Sequence, residues 1–193
     1  MKATLKNTVV VLILAVTALN CQIKKDTSAV LSELFAKASD NTRSDKERID
    51  YNKKALALIL QSEHQQGSLF FKNLFQVSNI YYELKALEDY KTTTERIEKK
   101  AQELQNDATL AKSYHNIGNY YIQKNIPDSA YFYYSKAEKL YTLVDDKEHI
   151  GKTILNKASL QYHDGDFARA ETSCFNALRY FKTLSHKVCK LKS

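Results

Sequence analysis

The feature that most constrains this chain is an internal repeat, because residues 111–137 and 151–177 carry one pattern at an offset of 40 positions. Small residues recur at matched places in the two copies, whereas the second copy is weaker at the aromatic positions. The matched pairs are Gly118 with Ala158, Ala130 with Ala170, Tyr134 with Cys174 and Ala137 with Ala177. Repeats of about 20–50 residues indicate stacked units, because one such unit cannot bury its apolar face alone.

Each copy is predicted to be a helical hairpin. The first stripe has helical spacing, i, i+3, i+4, i+7, and the second has i, i+4, i+7. These stripes are Tyr114, Ile117, Gly118 and Tyr121, then Ala130, Tyr134 and Ala137. Turn signals separate them at residues 125–128 and 164–166, and Pro127 suits the first turn of a helix. With only four Gly and one Pro in the whole chain, helices with short connections are favoured.

The pattern resembles the tetratricopeptide repeat (TPR) family, which has small residues where the two helices of a hairpin cross. The resemblance implies an all-α fold, an α-α superhelix of about four TPR-like hairpins, over residues 29–184. The family's usual repeat is about six residues shorter. The extra length falls at residues 143–150, which is consistent with longer helices or a longer linker.

Upstream the pattern fades. One stripe keeps the 40-residue offset at Leu74, Val77, Ser78 and Tyr81. The following helix, at residues 88–104, has Tyr90 where the small alanine belongs, so this unit is interpreted as degenerate. Two further amphipathic helices are predicted at residues 31–38 and 49–60. The buried stripe of the second is Tyr51, Ala55, Leu58 and Ile59.

The last hairpin is predicted to end near Leu184, and residues 185–193 form a C-terminal tail. Stacked repeats normally end in a polar capping helix, and this tail is too short to supply a further hairpin. We therefore expect a partner or a second copy (a homodimer) on the last repeat, or a chain shortened from a longer protein. The sequence also resembles the N-terminal repeat region of larger Bacteroidota sensor and regulator proteins.

The N-terminus has the pattern of a signal peptide over residues 1–20, with basic residues, an apolar run and then small or polar residues. Cys21 follows and resembles the lipidated cysteine of Bacteroidota lipoproteins, which implies a lipid anchor and a tether at residues 21–28. Leu19 and Asn20 depart from the commonest form of that motif. An uncleaved N-terminal helix and a plain secreted protein are the alternatives. The resemblance places the chain on a membrane, extracytoplasmically, in the periplasm or at the cell surface.

The other cysteines, Cys174 and Cys189, have no metal or redox spacing. Cys174 is predicted to be a small hydrophobic residue of the core. The sequence allows a disulfide between these two cysteines, but nothing in it requires one.

Charge and candidate chemistry exclude several function classes. The net charge is +7, yet the basic residues form no clustered tract of the kind that nucleic-acid binding needs. The five histidines include no metalloprotease spacing, and His115 is interpreted as an interhelical or surface residue that lines the groove at most. The carboxylate pairs Glu88-Asp89 and Asp145-Asp146 suit loops and N-caps. We predict no enzyme activity, no cofactor and no metal site.

The resemblance implies that the first helix of each hairpin lines a groove for a protein or peptide partner. Lysines there suit an acidic partner, and asparagines can clamp a peptide backbone or hold neighbouring helices together. The groove positions are Lys72, Gln76, Asn79, Lys112, Asn116, Asn119, Gln123, Lys152, Asn156 and Ser159.

The leading hypothesis is a non-catalytic, membrane-tethered interaction scaffold. The alternative is the sensor (input) region of a signal-transduction histidine kinase or transcriptional regulator. A third is an accessory substrate-binding lipoprotein, which a deep aromatic pocket around Tyr120, Tyr121 and Tyr162 would favour.

Overall fold

The computed structural model describes residues 27–61 and 67–190, with side chains as far as Thr183. The proposed signal peptide, Cys21 and most of the tether lie outside these residues. The described residues contain eight α-helices and no strand. The helices are α1 (27–39), α2 (Asp45–Gln61), α3 (Ser68–Glu83), α4 (Leu87–Glu103), α5 (Asp107–Gln123), α6 (Pro127–Leu143), α7 (Lys147–His163) and α8 (Phe167–Lys190). The predicted all-α fold of consecutive hairpins, an α-α superhelix, is confirmed.

The chain divides into two compact units, Met1–Gln76 and Val77–Ser193, and the boundary lies within α3. In the first unit, α1 and α2 bury Leu31, Phe35 and Ile59. Ser44 and Glu47 exchange hydrogen bonds at the start of α2, in the manner of a capping box.

The two predicted upstream helices are therefore present, and each is longer than the pattern indicated. In α2 the predicted stripe is buried at Ala55 and Ile59, whereas Tyr51 and Leu58 are half-buried. The ring of Tyr51 instead has three cations over it, those of Lys37, Arg43 and Lys54.

In the second unit, every helix from α4 to α7 has 17 residues, and three residues connect each helix to the next. The middle residue of each connection has a positive φ, in the left-handed region. These residues follow one another at intervals of 20: Lys85, Gln105, Asn125, Asp145 and Gly165. At the α5–α6 connection, Asn125 N–H donates to the carbonyl of Ile122 and Ile126 N–H to that of Tyr121. This is the Schellman arrangement, which satisfies the last carbonyls of a helix.

The length of the repeat now has its explanation. Because residues 144–146 form a connection as short as the others, the extra residues relative to the family's shorter repeat lie in the helices. Pro127 occupies the first turn of α6, as predicted. The predicted end of the last hairpin near Leu184 is wrong, since α8 continues to Lys190 through much of the presumed tail.

The core of the second unit is a stack of buried helix faces. Residues 40 positions apart take equivalent places, as Ala137 and Ala177 do, both fully buried. Tyr141 of α6 belongs to the same apolar cluster as Ile150, and its ring stacks on that of His149 on α7 with the ring centroids 5.0 Å apart. Lys157 of α7 pairs with Glu138 of α6 at 2.8 Å.

The helices of a hairpin cross where the sequence predicts small residues. A Cβ atom at Gly118 would lie 2.6 Å from the ring of Tyr134, so that ring occupies the space a side chain would take. In the degenerate hairpin the same place holds Ser78 and Thr94, whose hydroxyl oxygens are 3.1 Å apart. Tyr90, one turn earlier on α4, is also buried.

One core prediction is wrong, because Cys174 is exposed. Its equivalent, Tyr134, is buried by contacts with α5 and with Asn156 of α7. Among the described residues no further helix packs on α8 in the way that α7 packs on α6. The repeat pattern therefore gave the correct equivalent position for Cys174. Because no described helix covers that position on α8, its side chain is exposed.

Replacing Gly118 with Ala should lower the free energy of unfolding by about 2 kcal/mol, because the new methyl overpacks against Tyr134. Chemical denaturation of the full chain measures this change. The double change Gly118→Ala with Tyr134→Thr should cost less than the sum of the two single changes, since it recreates the Ser78–Thr94 size pairing. Strict additivity would contradict the proposed contact.

Candidate functional site

The groove residues predicted from the sequence lie on the first helix of each hairpin. On α5, Lys112, Asn116, Asn119 and Gln123 follow each other at i, i+4, i+7, i+11 and so share one face. On α7 the equivalent face carries Lys152, Asn156 and Ser159. We call the α5 face and the α7 face together the first-helix face of the second unit.

Hydrogen bonds within the protein occupy much of the first-helix face. Asn119 accepts a hydrogen bond of 2.7 Å from the hydroxyl of Tyr134. Gln123 donates to Tyr82 and accepts from the ammonium of Lys85, at 3.0 and 3.1 Å. These side chains hold neighbouring helices together, so little of their hydrogen-bonding capacity remains for a ligand.

The two asparagines that could clamp a peptide or hold the stack have different surroundings. Asn156 lies 3.3 Å from Nε2 of His115, on the neighbouring first helix, and so holds the stack. Asn116 is buried, and its backbone carbonyl accepts a hydrogen bond of 2.9 Å from Tyr90. Its amide nitrogen has no hydrogen-bond partner among the described residues.

The lysines of the face remain in contact with solvent. Lys152 is exposed and forms an ion pair of 2.6 Å with Glu148 on its own helix. Lys112 is exposed as well, yet desolvation by the surrounding protein lowers the pKa of its ammonium. Ser159 is exposed and lines an open groove between α7 and α8.

The remaining predicted positions lie on α3. In the first unit, Lys72 places its ammonium 4.7 Å from the ring centroid of Phe35, and Gln76 donates to the hydroxyl of Ser39 at 2.6 Å. Asn79, in the second unit, is exposed. Within the second unit, the exposed members of the predicted set are Lys112, Lys152 and Ser159 on the first-helix face and Asn79 on α3.

Of the two positions that the sequence leaves open for His115, interhelical or surface, the structure shows the interhelical one. Its Nδ1 lies 3.0 Å from the hydroxyl of Thr153, which itself donates to the carbonyl of His149. The hydroxyl proton is thereby used, so Nδ1 carries hydrogen and donates, while Nε2 accepts from Asn156. Burial, with the nearby charges of His149 and Lys152, lowers the pKa of His115 to about 4. The imidazole is therefore neutral at physiological pH.

No group of three or more potential metal ligands occurs within residues 27–61 and 67–190. Asp146 caps the N-terminus of α7 by accepting from His149 N–H, as the sequence suggested, and Glu88 pairs with Lys124 at 2.8 Å. No helix in the described part of the chain is both long enough and apolar enough to cross a membrane.

Of the three tyrosines named above, Tyr120 and Tyr121 contact each other, whereas Tyr162 contacts a different aromatic residue. Tyr120 and Tyr121 pack on each other with centroids 5.2 Å apart, and Tyr120 is buried. Tyr162 contacts Phe167 instead, in the open groove of about 630 Å³ between α7 and α8, whose lining includes neither Tyr120 nor Tyr121. That groove also contains Cys174, and sequence reasoning missed it because Cys174 was placed in the core.

Acidification should destabilise the fold through His115. An unfolded histidine has a pKa of about 6.5, whereas burial holds this one at about 4 in the folded chain. The unfolded state therefore binds more protons between these values, and stability present above pH 6.5 is lost as the pH falls towards 4. Thermal melting at a series of pH values measures the slope.

The variant His115→Gln should have a flatter pH profile between pH 7 and pH 5, even if its melting temperature is lower throughout. His163→Gln is the matched control, because His163 is exposed and its loss should leave the slope unchanged. A His115→Gln profile as steep as that of the unmodified chain would contradict this assignment.

Comparison with known proteins supports the architecture. No family model matches the sequence, and no curated protein matches it. Among solved structures, the crystal structure of BtubC (BKLC) from P. vanneervenii is similar, with a TM-score of 0.65 and 16% sequence identity. The match covers 85% of this chain and 75% of that chain. At so low an identity the likeness shows a shared helical fold and nothing of function.

Proposed function

We propose that this chain is a non-catalytic protein-interaction scaffold of tetratricopeptide-type hairpins, which binds an acidic peptide or protein segment on its first-helix face. The observation that carries the proposal is the repeated cation on that face. Lys112 and Lys152 lie 40 residues apart, at equivalent positions of α5 and α7, and both are exposed. A carboxylate-bearing segment that crosses both helices would meet one ammonium from each.

The partial desolvation of Lys112 supports this role. The surrounding protein already lowers the pKa of its ammonium, so part of the hydration cost of binding has been met on folding. A carboxylate placed beside it would gain a stronger interaction than it would at a fully hydrated lysine.

Rigidity of the face supports it as well. His115 of α5 is bonded to both Thr153 and Asn156 of α7, so the two helices that carry the lysines are held in register. A preformed spacing between the two cations reduces the ordering cost of binding. The exposed hydroxyl of Ser159 adds a hydrogen-bonding group to the face.

Charge reversal tests the proposal. The double variant Lys112→Glu/Lys152→Glu should bind an Asp/Glu-rich peptide with a free C-terminus about ten-fold more weakly than the unmodified chain, a cost of about 1.4 kcal/mol. Isothermal titration against such a peptide, and against its Asn/Gln counterpart, measures the loss.

The matched control is Lys99→Glu/Lys139→Glu, which makes the same change in net charge at exposed positions of the second helices α4 and α6. That control should retain affinity within about two-fold, because long-range charge effects are screened at physiological salt. Equal losses of peptide affinity in both variants would show that the effect comes from net charge alone and would contradict the proposed site.

The proposed scaffold is tethered to a membrane on its extracytoplasmic side by a lipid on Cys21. The support is the sequence pattern of residues 1–21, a basic start and an apolar run that end at a cysteine. The partners are then a lipid bilayer, through the anchor, and a protein segment, through the first-helix face. Stable anchoring needs more than one acyl chain, as bacterial lipoproteins have.

Metabolic labelling tests the anchor. Cells that express the full chain and are fed an alkyne-bearing fatty acid should give a labelled protein, and Cys21→Ser should abolish the label. Cys174→Ser is the control, since it removes an exposed thiol and should leave labelling intact. An unlabelled wild-type chain would favour a secreted or uncleaved form instead.

A further inference from the structure

The outer face of α8 carries an exposed stripe that no described helix covers. Its members are Glu171, Phe175, Leu178 and Lys182, at i, i+4, i+7 and i+11. Phe175 is 62% exposed and Leu178 46%, although both are large and apolar. A different side of the same helix, about 100° away, carries the buried Ala170 and Ala177. The α8 stripe, as we call these four residues, therefore points away from the core.

The spacing of the α8 stripe is that of a helix–helix seam. Steps of four, three and four residues are the alternating a and d positions of a heptad, which keep side chains facing one partner helix. A helix face that only contacts solvent does not require apolar residues at this spacing. On α8 it occurs with aromatic and aliphatic side chains at the centre and with charged side chains at both ends.

The stripe is also complementary to itself when reversed. The steps 4-3-4 read the same in both directions, so an antiparallel copy places Lys182 over Glu171 and Leu178 over Phe175. The charge changes sign from one end to the other, which turns each end contact into an opposite-charge pair. Both Glu171 and Lys182 are exposed, and neither has an ion-pair partner among the residues whose side chains the structure describes.

We propose that a second copy of this chain docks on the α8 stripe, which gives a two-fold symmetric dimer with the α8 helices antiparallel. A two-fold interface uses the same patch on both subunits, and the α8 stripe meets that requirement of self-complementarity. The centre of the contact is the Phe175–Leu178 pair, formed twice, and Glu171–Lys182 pairs close each end.

Neighbouring residues extend the apolar surface. Tyr162 and Phe167, 60% and 61% exposed, border the stripe beside the open groove between α7 and α8. A stable interface needs more area than one helix stripe provides, and these rings lie where a docked α8 helix would cover them. The dimer deepens the proposed scaffold role by naming one partner, but it does not depend on the first-helix face.

Apolar-to-charged changes test the contact. The full chain should sediment as a concentration-dependent dimer in analytical ultracentrifugation, and Phe175→Glu should make it monomeric over the same concentrations. Folding is not at risk, since Phe175 is mostly exposed. Phe132→Glu is the matched control, because Phe132 is 58% exposed on α6, outside the stripe, and its loss should leave the dimer intact.

Charge exchange distinguishes this geometry from general stickiness. Glu171→Lys alone and Lys182→Glu alone should each weaken self-association about ten-fold, because each sets two like-charged pairs against one another. Mixed in equal amounts, the two variants should form a heterodimer near wild-type strength, and the double variant should dimerise by itself.

A chain that stays monomeric at about 100 μM would overturn the proposal. A dimer that Phe132→Glu disrupts equally, or a mixture that fails to recover, would overturn it as well. The Lys112→Glu/Lys152→Glu variant should dimerise normally, so failure of peptide binding and failure of dimerisation are separate results.

Discussion

The close packing of consecutive 17-residue helices is the constraint on which the rest of this structure depends. Helices of this length are marginal in isolation, so each must bury a face against its neighbours. The crossing point of a hairpin sets how near two helices come. There the chain uses different size pairings: the missing side chain of Gly118 gives room to the ring of Tyr134, whereas Ser78 and Thr94 meet as two small hydroxyl side chains.

Polar contacts then fix the register of the stack. The Tyr90 hydroxyl reaches the backbone of Asn116, and His115 bridges α5 and α7 through Thr153 and Asn156. Buried polar groups of this kind specify one arrangement, because any shift leaves them without partners. The same bonds withdraw amides from the surface that a partner would meet. The first-helix face still exposes lysines at matched positions of α5 and α7. These cations are the reason why an acidic partner is proposed.

Where stacking stops, side chains of the repeat change their role. Cys174 occupies the place that Tyr134 takes one hairpin earlier, but it is exposed because no described helix lies against it. Phe175 and Leu178 are exposed on the same helix. A repeat that buries its neighbours' faces leaves one face uncovered at each end of any stack, and the apolar, charge-paired character of this face suits a second α8 helix.

Sequence alone determined the helical hairpins, their offset of 40 residues and the close approach at Gly118, because helical periodicity and small residues act locally or between matched positions. It also marked Asn125 and Gly165 as turns, since these residues enter the left-handed region readily. Lys85 and Gln105 adopt the same conformation with no such preference, so only the packing of the flanking helices decides it. Tertiary structure likewise decided that Asn156 holds the stack and that Cys174 is exposed. Both depend on which helix lies opposite, and a residue's own sequence neighbourhood does not contain that information.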